Sequence, residues 1–333
     1  VSHSTIPPLA DLLATARVVS LPLRTKFRGL NDREIMLFSG PNGWTEWSPF
    51  IEYEDEESAT WLKAAIHFSH GQMPALNRNL IAVNATLPAV APDQVAKVLG
   101  RFGTFNTVKI KVAEGGQKLS DDVDRIMAVR AAYPDAKLRL DANGKWTVDL
   151  ALSFTKALFK QGIQLEYLEQ PVATIGEMAE LRVKLLTERI PVKIAADESV
   201  RKVSDPFAVA HAQAADILVL KAAPLGGVSH ALEIARGSGL PVVISSALDS
   251  SVGLSMGAHL AAALPELQFD CGLGTAALLA GDVTREPIAP VDGFIEVRRV
   301  EVDEEKLQTF NAEEHRYDWW LERLERTYKL LEF

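Results

Sequence analysis

Cysteine is nearly missing from this sequence. Cys271 is the single one among 333 residues, so no internal disulfide can form and a reducing compartment is expected. Long apolar runs are missing too. Pro, Asp, Lys or Glu breaks each one well short of the roughly 18 residues that a membrane-spanning helix requires. Val1 to Ala10 carry neither the basic nor the apolar segment of a secretion signal. Basic residues are the minority, with 35 Lys and Arg against 44 Asp and Glu and a formal charge of −9. Such a surface repels phosphate backbones, and no basic cluster offsets it, which argues against nucleic acid as a partner. The seven histidines include no metal-spaced pair, so zinc is not expected. These absences point to a cytoplasmic globular protein with no membrane partner, and they carry no signal for an oligomeric state.

What the sequence does contain is a change of texture. With 47% hydrophobic residues over this length, the core is large enough to need no disulfide or metal staple. Residues 1–83 read as a small α+β domain. Strand-like pieces at 34–39 and 43–48 flank the turn Gly40-Pro41-Asn42-Gly43, and a helix over 55–70 follows with Trp61, Leu62, Ala65, Ile66 and Phe68 on its apolar side. From about residue 80, short β-branched runs alternate with amphipathic helical stretches. The expected strands are 80–84, 107–112, 137–141, 165–169, 192–196, 216–220, 242–246 and 268–271. The expected helices are 120–132, 148–160, 175–188, 206–213, 229–238 and 251–263. Eight such units over 84–290 predict a closed (β/α)8 barrel of the TIM type rather than an open doubly wound sheet. Residues 291–333 include a charged helix with Trp319, Trp320, Leu324 and Leu331 to bury, expected to return to the first domain and pack there.

Charged residues recur once per unit. Lys111, Asp141, Glu169, Asp197 and Lys221 fall at or just after successive strand ends, 30, 28, 28 and 24 residues apart. In a parallel barrel, equivalent strand ends meet at the C-terminal rim, where the active sites of this fold lie. A single charge at a strand end is most simply a solvated residue; five in consecutive units are poorly explained that way. Three carboxylates without His or Cys form an oxygen-only ligand set that suits a hard dication, Mg²⁺ best. An ammonium beside a dication gives up its proton more readily, so a lysine there can act as a base near neutral pH.

These residues sit in strings that resemble the enolase superfamily in its muconate-lactonizing branch. The strings are Lys109-Ile110-Lys111, Leu140-Asp141-Ala142-Asn143, Leu168-Glu169-Gln170-Pro171, Asp197-Glu198-Ser199 and Leu218-Val219-Leu220-Lys221. Within the branch the chain is most similar to the o-succinylbenzoate synthase family of menaquinone biosynthesis. That similarity rests on Arg139 two residues before Asp141, Phe27-Arg28-Gly29, the run from Trp44 to Phe50, and Ser245-Ser246 followed by Ser250-Ser251-Val252-Gly253.

The resemblance implies that Asp141, Glu169 and Asp197 bind Mg²⁺, with Mn²⁺ able to substitute, and that the partner is a small carboxylate substrate. It implies Lys111 as the base that removes the α-proton and returns it to the departing hydroxyl. Lys221 would face the ene-diolate from the other side, and Lys109 would screen the carboxylates. It also implies substrate contacts from Arg139, Ser245, Ser246, Phe27, Arg28 and the backbone at Gly272, under lid loops at 21–29 and 49–53. The same site would serve an N-succinylamino acid racemase, a dipeptide epimerase or a muconate-type cycloisomerase. Asp249 stands where the branch often has Glu.

Other signals carry less. Gly272-Leu273-Gly274-Thr275-Ala276-Ala277 matches the loose dinucleotide fingerprint, but it follows seven units instead of opening the first. Asn84-Ala85-Thr86 spells a glycosylation sequon at what reads as a buried strand end. Trp319-Trp320 and Cys271 read as packing.

Overall fold

The computed structural model describes residues 6–201 and 205–331. Residues 1–5 and 332–333, at the outer ends of the expected first domain and C-terminal segment, lie outside that range. Helix α1 (Leu9–Thr15) leads into an antiparallel sheet of β1 (Arg17–Phe27), β2 (Leu30–Gly40) and β3 (Gly43–Trp47). Arg28 and Gly29 join β1 to β2 with φ of 52° and 79°, the two positive values that a two-residue hairpin turn requires. Residues 21–27, expected as a loop, are instead the outer end of β1, pairing at Pro22 and again at Phe27. Pro22, Arg24 and Lys26 interrupt the apolar alternation there and hide the strand. Helix α2 (Asp55–His70) follows, with Asp55, Glu56 and Glu57 at its N-terminus, where carboxylates oppose the helix dipole.

The remaining elements run β4 (Leu80–Ala82), β5 (Ala85–Leu87), α3 (Val95–Leu99), β6 (Thr107–Lys111), α4 (Leu119–Ala132), β7 (Lys137–Asp141), α5 (Val148–Lys160) and β8 (Leu165–Glu169). Then come α6 (Ile175–Thr187), β9 (Lys193–Ala196), α7 (Glu198–Arg201), α8 (Ala208–His211), β10 (Ile217–Leu220), α9 (Val228–Ser238), β11 (Val242–Ile244) and α10 (Ser251–Ala263). The chain ends with β12 (Phe294–Glu296), α11 (Glu304–Thr309) and α12 (Glu314–Tyr328). Strands β5 to β11 form one parallel sheet in sequence order, the curled sheet of a TIM-type barrel.

Two of the eight expected strands differ. Residues 80–84 divide: β4 pairs antiparallel with β12 outside the ring, and the first barrel strand begins at Ala85. Residues 268–271 form no strand. The ring closes there through isolated bridges, Cys271 to Val83 and Gly272 to Ser245, with Cys271 N donating to Ala82 O at 2.7 Å and Gly272 N to Ile244 O at 2.8 Å. The crossing is short because glycines 272 and 274 bring no side chains to pack, and Asp270 is turned aside to accept from Thr107 Oγ1 at 2.6 Å.

Side-chain alternation separates two barrel layers. Outward residues such as Val108, Ile110, Leu138, Leu140 and Leu168 pack under the helices, while Tyr167, Ala195, Ile217, Val219 and Val243 fill the interior against Phe269. The antiparallel sheet has its own core with α2 and α12. Trp47, Trp61, Trp320 and Leu324 are buried in it, and Trp47 meets Trp320 edge-on at 5.4 Å. The C-terminal helix therefore completes the capping domain.

Candidate active site

The inward alternation continues upward from the filled interior. On β6 it points Lys109 and Lys111 into the ring, on β7 Arg139 and Asp141, and on β8 Tyr167 and Glu169; Asp197, Lys221 and Ser245 follow β9, β10 and β11. The ladder register places Lys111 beside Asp141 and Asp141 beside Glu169. Residues far apart in sequence thus share one level of the rim.

A cavity of about 600 Å³ opens above them. Lys109, Lys111, Asp141, Asp197, Lys221, Ser245, Ser246 and Gly272 line it from the barrel, and Phe27 and Arg28 from the capping sheet. Lys111 and Lys221 stand on opposite sides of the mouth, with β7, β8 and β9 between their strands. Phe27 covers Lys111, its ring centroid 5.5 Å from Nζ. Gly272 is closely packed: a Cβ there would stand 2.6 Å from Ser245 Oγ, so any larger residue would have to displace that hydroxyl.

Each expected metal-binding carboxylate is turned to a lysine. Lys111 Nζ donates to Asp141 Oδ2 at 2.5 Å and to Asn143 Oδ1 at 2.8 Å. Lys109 Nζ bonds both Glu169 oxygens, at 2.9 and 3.1 Å, and Lys221 pairs with Asp197. Among the described residues no three His, Cys, Asp or Glu side chains stand together as a ready cage, because the ammonium groups supply the neutralising charge. The donor set nevertheless fits a hard cation. Asp197 Oδ1 is buried with no hydrogen-bond partner, Arg201 Nε lying 3.5 Å away.

The buried charges explain one another. Burial, with the Asp141 carboxylate adding to it, pushes the Glu169 carboxyl up to about 7 despite Lys109. Burial would also raise Asp141 and Asp197. Lys111 and Lys109 overcome this at Asp141, and Lys221 and Arg201 at Asp197, so both stay below the usual carboxylate range. Burial alone would lower Lys109, but Glu169 and Asp141 outweigh it and keep that ammonium protonated. Lys109 is therefore a fixed positive charge.

Arg139 needs correction as a substrate contact. It lies one layer below Asp141, fully buried, and is not part of the cavity lining. Its Nε donates to Glu166 at 2.6 Å, its Nη1 to Asn84 Oδ1 at 3.0 Å and to Asp270 O at 2.7 Å, and its guanidinium stacks on Tyr167. It braces the barrel interior. Residues without an expected role join the site instead. Asn143 links Lys111 to Glu198, and Arg201 bonds Glu198 and, with Arg28, the Tyr53 hydroxyl. Arg201 lies one helical turn after Asp197, a spacing visible in the sequence, and Tyr53 ends the expected lid loop 49–53.

The chain is similar to known proteins in both sequence and fold. Residues 91–305 match the enolase C-terminal domain-like family and residues 18–69 the enolase N-terminal domain-like family. An o-succinylbenzoate synthase from Mycobacterium bovis (strain BCG / Pasteur 1173P2) is 50% identical over 98% of this chain and 97% of its own. One from Mycobacterium ulcerans (strain Agy99) is 51% identical over 97% and 96%. The chain belongs to the o-succinylbenzoate synthase family of the enolase superfamily. Enzymes of this superfamily use a divalent metal. The superfamily fold is matched by muconate lactonizing enzyme from Pseudomonas fluorescens, solved with muconolactone. Its TM-score is 0.75 at 20% identity, covering 90% of this chain and 98% of that one. No helix among the described residues is long and apolar enough to cross a membrane.

Proposed function

We propose that this chain is a Mg²⁺-dependent hydro-lyase of menaquinone biosynthesis, converting 2-succinyl-6-hydroxy-2,4-cyclohexadiene-1-carboxylate into o-succinylbenzoate in the cytoplasm. The observation that carries the reading is the pair Lys111 and Lys221 facing each other across a cavity lined by Asp141 and Asp197, with Glu169 buried beside Asp141. It is joined to half-identity, nearly end to end, with proteins that bear the synthase name.

In this reading Lys111 takes the proton α to the substrate carboxylate. The C–O bond on the same face then breaks with its electron pair, and Lys111 returns the proton to the leaving hydroxide as water. Asp141 and Asn143 hold the Lys111 ammonium from two sides, so its Nζ returns to one place after each transfer. Lys221 faces the ene-diolate from across the ring as a cation. Asp141, Glu169 and Asp197 would hold Mg²⁺, with Mn²⁺ as substitute. The bound ion supplies Lewis-acid stabilisation of charge developing on the substrate carboxylate. Phe27, Arg28 and Tyr53 cover the mouth and exclude water. Ser245 and Ser246 offer hydroxyls to the succinyl arm; Ser246 Oγ is already engaged with Gly272 O and Thr275 Oγ1, at 2.7 and 2.8 Å.

Racemisation or epimerisation in such a site uses both lysines as acid and base. Dehydration uses only Lys111. Comparing kcat/KM for the cyclohexadiene acid, an N-succinylamino acid, a dipeptide and muconate tests the assignment. The acid should be turned over best by a wide margin; a larger value for any other substrate would overturn it.

A further inference from the structure

We propose that Glu46, a residue of the capping sheet, is a positioning residue for the substrate-facing wall at 245–249. The idea rests on reading the large cavity as the dehydration site, and it adds a residue that does not line that cavity.

Glu46 lies on β3 and is 3% exposed. Its Oε1 accepts from Ser48 Oγ at 2.5 Å within the sheet. Its Oε2 crosses to the barrel and accepts from Ser250 N at 3.0 Å and Ser250 Oγ at 2.5 Å. Ser250 is the N-cap of α10, its hydroxyl receiving Val252 N at 3.2 Å. The carboxylate thus grips the first turn of the helix directly behind Ser245, Ser246, Ala247 and Leu248, all of which line the cavity. The fit is close: a Cβ on Gly253 would stand 2.8 Å from Oε2 of Glu46 and 2.7 Å from Cβ of Asp249. Arg33 of β2 makes a second crossing, its Nε donating to Leu248 O at 3.4 Å while its Nη2 bonds Ser48 O. One buried patch therefore fixes both the seat of the capping sheet and the shape of the wall.

The charged groups facing this patch are Asp249 and Arg33, with Lys221 beyond Asp249 and Asp282 on the neighbouring Ser251. Asp249 bonds Ala247 N at 3.1 Å, so it braces the same wall from the barrel side. Burial, then the Asp249 carboxylate, pushes Glu46 up to about 7, and burial raises Asp249 as well. The Ser250 and Ser48 bonds favour the charged form, but burial and Asp249 outweigh them, so ionisation of Glu46 works against the packed patch as pH rises through 7.

The test uses the full-length, metal-loaded enzyme and its Glu46→Ala and Glu46→Gln variants. Two readouts are needed: steady-state kinetics from pH 6 to 8.5 on the cyclohexadiene acid, and hydrogen exchange at the Ser250 amide. Glu46→Ala should raise KM about tenfold while kcat changes less than about threefold, because the wall is displaced and the lysines are not. Glu46→Gln, which keeps an acceptor and cannot ionise, should recover most of the KM. It should also lack the rise in KM expected of wild type above pH 7. Exchange at Ser250 should be faster in the alanine variant. Should that variant fail to fold, the glutamine pH profile decides alone, and a profile matching wild type overturns the proposal. An active wild type with an alanine variant at wild-type KM would overturn the positioning role only. A wild type that does not aromatise the acid would overturn the reaction itself.

Discussion

Lys111 has its ammonium between Asp141 and Asn143, while Lys221, across the ring, pairs with Asp197. Their unequal duties are testable. Lys111→Ala removes both proton abstraction and proton return, so kcat should fall by about 10²–10⁴ or more in a turnover assay. Lys221→Arg keeps a cation opposite the ene-diolate and should retain part of the dehydration activity, with any racemisation of an N-succinylamino acid abolished. Asp197→Asn should raise the metal concentration needed for half-maximal rate, and a titration identical to wild type would count against that carboxylate as a ligand. The lysines and acids were legible in the sequence because strand ends in a parallel barrel converge whatever lies between them. Arg139 was not legible in the same way. It shares its inward direction with Asp141, since positions two apart face the same side, but a strand also rises about 3.3 Å per residue, which sets Arg139 a layer deeper. Sequence spacing reports direction and leaves depth to be settled by packing.

Elements with clean periodicity were the readable ones. Helices over 55–70, 148–160 and 251–263 and strands over 137–141 and 165–169 stand where apolar spacing puts them. The outer end of β1 was hidden because Pro22, Arg24 and Lys26 break its alternation, whereas the strand expected at 268–271 was over-read, the ring closing there only by bridges at Cys271 and Gly272. The last helix was legible as an apolar stripe, though not its anchoring. On α12, Trp320 is fully buried, and its Nε1 donates to Glu34 at 2.8 Å, a carboxylate that Arg316 also holds at 2.6 Å. Trp320→Ala should cost about 3–5 kcal/mol in denaturant unfolding, from lost packing against Trp47 and a Glu34 left with one partner fewer. A loss below 1 kcal/mol would mean that α12 contributes little to the capping core.

Across the whole molecule, the division of labour is between a rigid ring that carries the charges and a capping sheet that shapes and covers their cavity. The ring tolerates three buried carboxylates because three lysines answer them, and this balance changes when a dication enters. Metal binding and dehydration are therefore proposed to stand or fall together. The decisive measurement follows the ultraviolet spectrum of 2-succinyl-6-hydroxy-2,4-cyclohexadiene-1-carboxylate with the purified protein, first in Mg²⁺ and then in excess EDTA. The aromatic product should appear rapidly with Mg²⁺, that rate should be lost in EDTA, and it should return when Mg²⁺ is restored. Aromatisation at an undiminished rate in EDTA, or none in Mg²⁺, would overturn the proposed reaction.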